Sequence, residues 1–164
     1  MANSKFSYVR GFEEDDRLPP ENWVVVTLKN VSKLMPNYFL TCSTSRKSYY
    51  SLLSSSVREV LSHYRDIKMS YCYFDTAHFV FLKNSTLYKR RTYKLLPYIA
   101  SCLSASFIRS WPNLVDSQDC SPGDSVFEGK VYLFPSDQSL RDYLTLNQIN
   151  HHSSNMLHTL CLAH

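Results

Sequence analysis

Residues 71–83, with the sequence YCYFDTAHFVFLK, decide the fold. The stretch is rich in aromatic and β-branched residues, which is typical of strands, and the polar pair Asp75 and Thr76 interrupts it where a bend is needed. The sequence therefore predicts a β-hairpin with strands over 67–74 and 77–83. Asp75 is the only carboxylate in the hairpin. Taken alone it is explained as a turn residue, since aspartate side chains bond the backbone of tight turns.

The segments on either side of the hairpin predict further strands and helices. Dense runs of β-branched residues are typical of buried strands, and apolar residues three and four apart indicate the buried face of a helix. In chain order, the predicted elements outside the hairpin are a strand over 22–28, a helix over 46–64, a helix over 87–109, a strand over 126–134 and a helix from 135–137 to about residue 150, with loops over 29–45 and 111–124. Pro97 lies inside the second helix, where the lost backbone bond costs about 3 kcal/mol, so a kink or a break is expected there.

The order of the first six elements matches the split β-α-β-β-α-β arrangement. It predicts an α+β fold with a ferredoxin-like antiparallel sheet and helices packed on it. In that topology the first and third strands are neighbours, so the end of the first strand, near Lys29, should lie beside the hairpin tip at Asp75. Polymerase palm domains place carboxylates at these two points to hold two Mg²⁺ ions about 3.5–4 Å apart. The pattern therefore favours a palm-like domain.

Composition limits the class of protein. A chain of 164 residues with 44% hydrophobic residues and a net charge of +4 is expected to form a single domain, with a charged, proline-broken N-terminal segment over 1–21 that leads into it. The five cysteines show no metal-ligand spacing. The N-terminus lacks the apolar region of a secretory signal, and no run approaches the roughly 18 apolar residues of a membrane span. A cytoplasmic or nuclear location is therefore expected.

Seven stretches together carry a resemblance to one family. They are MANSKFSYVR at 1–10, FEEDD at 12–16, WVVV at 23–26, FVFLK at 79–83, YKRRTYK at 88–94, FEGKV at 127–131 and PSDQSLRDYL at 135–144. Over nearly its whole length the chain resembles the tRNA(His) guanylyltransferase family. The resemblance implies a palm-like nucleotidyltransferase domain that acts in tRNA processing and modification. The reaction it implies is the Mg²⁺-dependent addition of GMP to the 5′ end of tRNA(His), with GTP and ATP as nucleotides.

At the family's metal-binding positions the sequence departs from the pattern. In the first motif, Arg-Ile-Asp-Gly, Lys29 stands at the metal-bridging aspartate and Asn30 at the glycine. In the second motif, Ser-Asp-Glu-Tyr-Ser-Phe, Asp75 is retained as the catalytic and metal-binding aspartate, but Thr76 replaces the glutamate. Lysine has no acceptor atom and cannot ligate Mg²⁺. We therefore expect Lys29 and Asp75 to form an ion pair where the metals would lie, and catalysis to be absent or impaired.

Basic residues after the hairpin are candidates for phosphate contacts. A cluster of positive charge at a helix end suits a triphosphate or the backbone of tRNA, although a solvated helix face explains the same residues. Arg91 and Lys94 match the Arg-x-x-Lys positions of the family, and the family's His-Ile-Asn-Asn motif keeps its first and last members. The nucleotide-binding or tRNA-binding residues implied by the resemblance are Lys89, Arg90, Arg91, Lys94, His152 and Asn155.

Three hypotheses about function remain open on this basis. The chain is an enzyme whose missing ligands are replaced by other residues, a non-catalytic tRNA-binding pseudoenzyme, or a subunit that joins an intact relative, since the family works as oligomers. The family's Lys-Pro-Asn-Asp segment, which binds the triphosphate, has no counterpart within 31–48. The family also continues beyond the length of this chain with a helical region that helps to build the tRNA and nucleotide sites. A truncated catalytic domain with impaired activity is therefore expected.

Overall fold

The computed structural model describes residues 7–12, 14–31, 43–73, 75–114 and 125–161, with the backbone alone at 7, 9–10, 43–46, 113–114 and 151–161. Its four strands form one antiparallel sheet. None of the described helices has the length and apolar character needed to cross a membrane. The elements in chain order are β1 (Trp23–Asn30), α1 (Ser43–His63), β2 (Ile67–Tyr73), β3 (Thr76–Phe81), α2 (Thr92–Leu114), β4 (Phe127–Phe134) and α3 (Asp137–Cys161).

The strand order β2-β3-β1-β4 confirms the predicted α+β fold with a ferredoxin-like sheet. β1 is a central strand, paired with β3 on one side and β4 on the other. Its buried Val24, Val26 and Leu28 pack with residues of α1 and α2. Because side chains alternate along a strand, Val25 and Thr27 project to the outer face, where α3 packs.

The main core lies between the sheet and the helices α1 and α2, whose predicted apolar stripes are buried. Burying each large aliphatic or aromatic side chain contributes about 1.5–3 kcal/mol. β4 approaches α2 so closely that a Cβ on Gly129 would lie 2.4 Å from Leu96 Cδ1, which accounts for the glycine in the FEGKV stretch. The buried helix residues include Leu52, Leu53, Val57 and Val60 of α1 and Leu95, Ile99, Leu103 and Phe107 of α2.

The outer face of the sheet is covered in part by α3. Thr27 Oγ1, His78 Nδ1 and Tyr143 Oη form a closed triangle of hydrogen bonds, with distances of 2.9–3.0 Å. At the start of the helix, the Asp137 carboxylate accepts a hydrogen bond of 2.8 Å from Trp23 Nε1. These contacts fix α3 against β1 and β3.

The first strand is longer than predicted. It ends at Asn30 instead of residue 28, because the Asn30 N–H donates to the Asp75 carbonyl at 2.8 Å and pairing with β4 continues to that residue. Lys29 and Asn30 therefore belong to the strand and not to the predicted loop over 29–45.

The loops and the hairpin differ from prediction by a few residues. α1 begins at Ser43, within the predicted loop, and residues 32–42 lie outside the described part of the chain. The second hairpin strand begins at Thr76, one residue earlier than predicted, because Thr76 pairs with both neighbouring strands. Phe74, the predicted end of the first hairpin strand, also lies outside the described residues.

The prediction of one helix over 87–109 that kinks or breaks at Pro97 is wrong about the place of the break. A separate turn occupies Leu87–Arg90, and the helix runs without a break from Thr92 to Leu114, through Pro97. Pro97 lies on the exposed face, so the one carbonyl that loses its partner faces water, and the buried stripe holds the helix together. The rest of the predicted loop, 115–124, lies outside the described residues.

The last helix continues to Cys161, well past the predicted end near residue 150. The predicted end rested on the last apolar residue of the stripe, Ile149. No glycine or proline follows Pro135 in the sequence, so the usual signals that end a helix are missing.

The acidic segment near the N-terminus caps α2. Asp16 Oδ1 accepts a hydrogen bond from Arg91 Nε at 2.8 Å, and Asp16 Oδ2 accepts one from the Tyr93 N–H at 2.5 Å. The carboxylate thereby satisfies a donor of the first helical turn, where negative charge is favoured. Burial raises the pKa of Asp16, but the bonds from Arg91 and Tyr93 outweigh it, and the net pKa lies below the ordinary value. The N-terminal segment is therefore part of the fold at this point.

We predict that Asp16→Asn lowers the melting temperature at neutral pH, since asparagine keeps the shape but loses the charge. The folded pKa lies below the unfolded value of about 3.9, so the carboxylate's contribution is present above that value and is lost as the pH falls through the folded pKa. Thermal unfolding from neutral pH down to about pH 3 should show the two melting temperatures converge. Asp15→Asn, at a side chain that is 79% exposed, is the control. A gap that stays constant with pH would contradict this role.

Candidate functional site

The end of β1 and the hairpin tip meet at one edge of the outer face. Lys29 lies directly opposite Thr76 of β3 and opposite Glu128 of β4. Directly opposed residues in antiparallel strands project to the same face. The register therefore brings an ammonium, a hydroxyl and a carboxylate together, and the predicted proximity of Lys29 to Asp75 follows from it.

Lys29 and Asp75 form the ion pair that the sequence predicts. Lys29 Nζ lies 3.8 Å from Asp75 Oδ2, and Thr76 Oγ1 donates to Asp75 Oδ1 at 2.7 Å. The side chain of Lys29 is 59% exposed and that of Asp75 is 20% exposed. Because water screens the attraction, the pair contributes less than about 1 kcal/mol to stability. Its consequence is for ligand binding, since each oxygen of the Asp75 carboxylate already faces a donor of this chain.

Asn30 points away from this edge. Its side chain is 3% exposed and lies close to the buried hydroxyl of Tyr49 in α1. Burial, with the negative charge of Asp75, raises the pKa of Tyr49, so the hydroxyl stays protonated. The asparagine that stands in place of a glycine therefore fills space between the sheet and α1 and leaves the edge beside Lys29 open.

The residues at this edge do not fit a site for two magnesium ions. Mg²⁺ requires near-octahedral oxygen ligands, and a two-metal clamp needs carboxylates that bridge the ions. Lys29, where the resemblance implies a bridging aspartate, has three donors and no acceptor, and Asp75 is engaged by Lys29 and Thr76. Among the described residues, no group of three or more His, Cys, Asp or Glu side chains could hold a metal ion.

Glu128 is a charged neighbour of Lys29 that reasoning from the sequence did not identify. It is exposed on β4 and lies opposite Lys29. The FEGKV stretch shows that a carboxylate is present in the fourth strand, but only the register of β4 against β1 places it beside the lysine. Glu128 is therefore the second carboxylate near Lys29, on the side of the lysine away from β3.

Arg90 is a structural residue at the start of α2. Its side chain is buried, and all five guanidinium N–H donors point to backbone carbonyl oxygens. No donor is left for a phosphate, so the expectation that Arg90 contacts nucleotide or tRNA has no support in this arrangement. The acceptors, at 2.8–3.3 Å, are the carbonyl oxygens of Leu18, Pro19, Asn22, Lys83 and Ser85.

Three consecutive residues before α2 have left-handed backbone, with φ of 51° at Tyr88, 56° at Lys89 and 58° at Arg90. For residues other than glycine this conformation costs roughly 1–2 kcal/mol each. The buried guanidinium of Arg90 offsets that cost, and the Arg90 carbonyl accepts a hydrogen bond of 2.9 Å from the Leu18 N–H. The turn leaves Lys89 exposed.

The other predicted binding residues fall into three groups. Arg91 is paired with Asp16, so its charge is partly neutralised. Lys89 and Lys94 are exposed, and within the described part of the chain no ion pair joins either of them to a carboxylate. His152 and Asn155 belong to the last turns of α3, and their side chains lie outside the described residues.

The sheet order and the hairpin that meets the end of β1 define a ferredoxin-like α+β domain with a single retained carboxylate at its hairpin tip. Residues 6–135 match the profile of the family described as tRNAHis guanylyltransferase. The chain belongs to the tRNA(His) guanylyltransferase family.

Relatives from several organisms agree with this assignment. A tRNA(His) guanylyltransferase of Neurospora crassa is 37% identical over 162 residues, which cover 97% of this chain and 55% of the relative. The probable tRNA(His) guanylyltransferase of Homo sapiens is 33% identical over 168 residues, which cover 99% of this chain and 55% of the relative. The chain therefore spans about half the length of these relatives.

Solved structures share the fold at low sequence identity. The tRNA(His) guanylyltransferase of Saccharomyces cerevisiae has a TM-score of 0.84 at 22% identity. The match covers 94% of this chain and 69% of that structure. A bacterial tRNA(His) guanylyltransferase-like protein in complex with GTP has a TM-score of 0.74 at 14% identity. The match covers 93% of this chain and 71% of that structure.

We predict that Arg90→Lys lowers the free energy of unfolding by on the order of 3 kcal/mol, because lysine cannot reach all five carbonyl oxygens and leaves buried acceptors unpaired. Lys89→Ala, one position earlier but exposed, should change it by less than about 0.5 kcal/mol. Urea denaturation of both variants measures the difference. Equal stability of Arg90→Lys and the unchanged protein would show that the guanidinium does not hold the turn.

Proposed function

We propose that this chain is a domain of the guanylyltransferase family that has lost two-metal catalysis and retains affinity for the phosphate backbone of tRNA. The observation that carries the proposal is the ion pair between Lys29 and Asp75. The ion pair lies where the resemblance to the family implies a metal-bridging carboxylate. By this account the chain is a pseudoenzyme when it acts alone.

The loss of catalysis rests on the chemistry of the three substituted positions. A two-metal site stabilises the attacking and leaving oxygens of a phosphoryl transfer only if both ions are held by shared carboxylates. Lys29 and Thr76 offer an ammonium and a hydroxyl where carboxylates are needed, and the retained Asp75 is one ligand only. Among the described residues, no group of three or more His, Cys, Asp or Glu side chains is available to rebuild the clamp.

Weak binding of nucleotide is part of the proposal. Structural neighbours are bacterial tRNA(His) guanylyltransferase-like proteins in complex with GTP and with ATP. A triphosphate that binds through Mg²⁺ loses most of its affinity when the metal ligands are absent. We therefore expect this chain to bind GTP or ATP weakly, through Lys89 and Lys94 and with part of the charge of Arg91.

Retained contact with tRNA rests on the two exposed lysines. Each lysine that neutralises a phosphate adds to the affinity through the release of counterions. Lys89 and Lys94 have no carboxylate partner among the described residues, so their charge is available to a phosphate. We include His152 and Asn155 in the proposed surface on the resemblance alone.

We predict that the chain does not add GMP to the 5′ end of a tRNA(His) transcript supplied with GTP, ATP and Mg²⁺. The matched variant combines Lys29→Asp, Asn30→Gly and Thr76→Glu, and restores the family residues at all three positions. Gel analysis of the labelled transcript measures the product in both proteins. Product from the unchanged chain would contradict the proposal and indicate a rebuilt metal site.

The restored variant tests whether the three substituted positions cause the loss of activity. Product from that variant alone would assign the loss to the three positions. If neither protein forms product, the result also fits the proposal. It would indicate that catalysis further requires the part of the relatives that this chain does not span. Asn30→Gly alone is the control for packing, since the Asn30 side chain lies in the core and should affect stability more than metal binding.

A second candidate is a subunit that assembles with an intact relative. The observation that favours it is the outer strand β4, where Val126 beside the strand and Leu133 within it are 58% and 37% exposed. β4 is an edge strand of the described sheet, and an edge strand can pair with another chain. Size-exclusion chromatography of the chain mixed with an intact relative, without tRNA, distinguishes this candidate, because a subunit would elute with the relative and a separate tRNA-binding domain would not.

A further inference from the structure

A stacked pair of tyrosines lies beside the exposed lysines. The rings of Tyr88 and Tyr98 have centroids 4.6 Å apart and planes 26° apart. Tyr98 is 52% exposed although its ring stacks on that of Tyr88, so part of the ring is open to solvent. A flat aromatic surface is therefore open to solvent.

The inner ring of the pair is anchored to the body of the domain. Tyr88 lies close to Tyr64, the residue that follows α1, and both tyrosines pack against the main core. The left-handed turn held by Arg90 fixes the backbone of Tyr88. The pair is thus a rigid support for a third ring and not a mobile surface side chain.

Positive charge surrounds this surface without local acidic groups. Lys94 lies one helical turn before Tyr98 on the same face of α2, since residues four apart are neighbours there. Lys89 follows Tyr88 directly and is exposed. No aspartate or glutamate occurs in the sequence from residue 76 to 115.

Two of the carboxylates that the N-terminal segment brings to this end of α2 are already engaged, and a third, Glu21, acts on the buried guanidinium of Arg90. Glu14 accepts a hydrogen bond of 2.8 Å from the Tyr93 hydroxyl, and Asp16 is bound to Arg91 and to the first turn of the helix. Neither is joined to Lys89 or Lys94 within the described part of the chain. The lysines therefore give the tyrosine surface a net positive charge.

We propose that Tyr98, supported by Tyr88 and flanked by Lys89 and Lys94, is a stacking site for an unpaired base of RNA. The open ring face would stack on the base, and the two ammonium groups would contact the adjacent phosphates. Aromatic surfaces with lysines beside them bind single-stranded nucleic acid in this way. The inference rests on the proposed affinity for RNA and adds that the strand is unpaired where it meets α2.

Charge complementarity favours RNA over a protein partner. A protein surface that filled this site would need both an aromatic or apolar group and carboxylates at the spacing of the lysines. A nucleotide offers a flat ring and a phosphate in every repeat. Duplex RNA does not present its ring faces, because they are stacked within the helix, so the site distinguishes unpaired from paired strands.

Fluorescence anisotropy with three labelled RNAs tests the inference. The probes are a single-stranded oligo(A), a blunt hairpin of the same length whose loop is a non-nucleotide linker, and a tRNA transcript. Tyr98→Ala should weaken binding of oligo(A) by about tenfold, as expected for the loss of one stacked base, and should leave the hairpin unchanged. Tyr98→Phe should retain the affinity, because it keeps the ring. Tyr8→Ala removes a tyrosine that is 66% exposed elsewhere on the surface and is the control.

Two further readouts separate stacking from a structural effect. Replacing one adenine of oligo(A) by 2-aminopurine should give fluorescence quenching on binding, and Tyr98→Ala should abolish the quenching but not change the melting temperature of the protein. The double variant Lys89→Ala/Lys94→Ala should reduce the salt dependence of binding, by about 0.7 in the logarithmic slope for each phosphate that a lysine no longer neutralises.

The outcomes distinguish this inference from the proposed function. If the unchanged chain binds the tRNA transcript and Tyr98→Ala binds all three RNAs equally well, the stacking site is wrong while RNA binding stands. Equal weakening on the hairpin would also overturn the stacking site. If the unchanged chain binds none of the RNAs at low salt, the proposed affinity for RNA is wrong, and the tyrosine surface then belongs to a protein contact.

Discussion

The antiparallel register of β1 against β3 is the constraint on which the site depends. It sets Lys29 opposite Thr76 and joins the Asn30 N–H to the Asp75 carbonyl at 2.8 Å. A shift by one residue would turn the buried Leu28 to the outer face and Lys29 into the core, so burial of the strand fixes the register. The register places Lys29 within reach of Asp75, and the two side chains form the ion pair. The packing that stabilises the domain thus brings an ammonium to the position where the resemblance implies a metal ligand.

A second constraint divides the basic segment before α2. The residues YKRR form a uniform positive cluster in the sequence, but the left-handed turn separates their roles. Arg90 is directed inward, where it binds five carbonyl oxygens, and Arg91 is held by Asp16. Lys89 remains at the surface. Most of the cluster therefore stabilises the fold, and the affinity for phosphate that we propose rests on fewer charges than the sequence suggests.

Local sequence patterns predict the strands, the helices and their order, because the spacing of apolar residues reflects which side chains are buried. They also predict the ion pair, since topology alone places Lys29 beside Asp75. The break before α2 could not be predicted, because the left-handed turn depends on a guanidinium whose acceptors lie in distant segments. Glu128 was missed for a similar reason, since its distance from Lys29 depends on the register of β4. The buried position of Asn30 likewise follows from side-chain alternation only once the strand is known to continue to that residue.

The proposed loss of catalysis depends on the absence of divalent-metal binding at the hairpin edge. Titration of the protein with Mn²⁺, followed by the electron paramagnetic resonance signal of the free ion, measures this without any need for substrate. We predict that the free signal is the same with the protein as in buffer alone. Saturable binding of one or two Mn²⁺ ions that is abolished by Asp75→Asn would contradict the proposal, because Asp75 would then hold a metal despite Lys29.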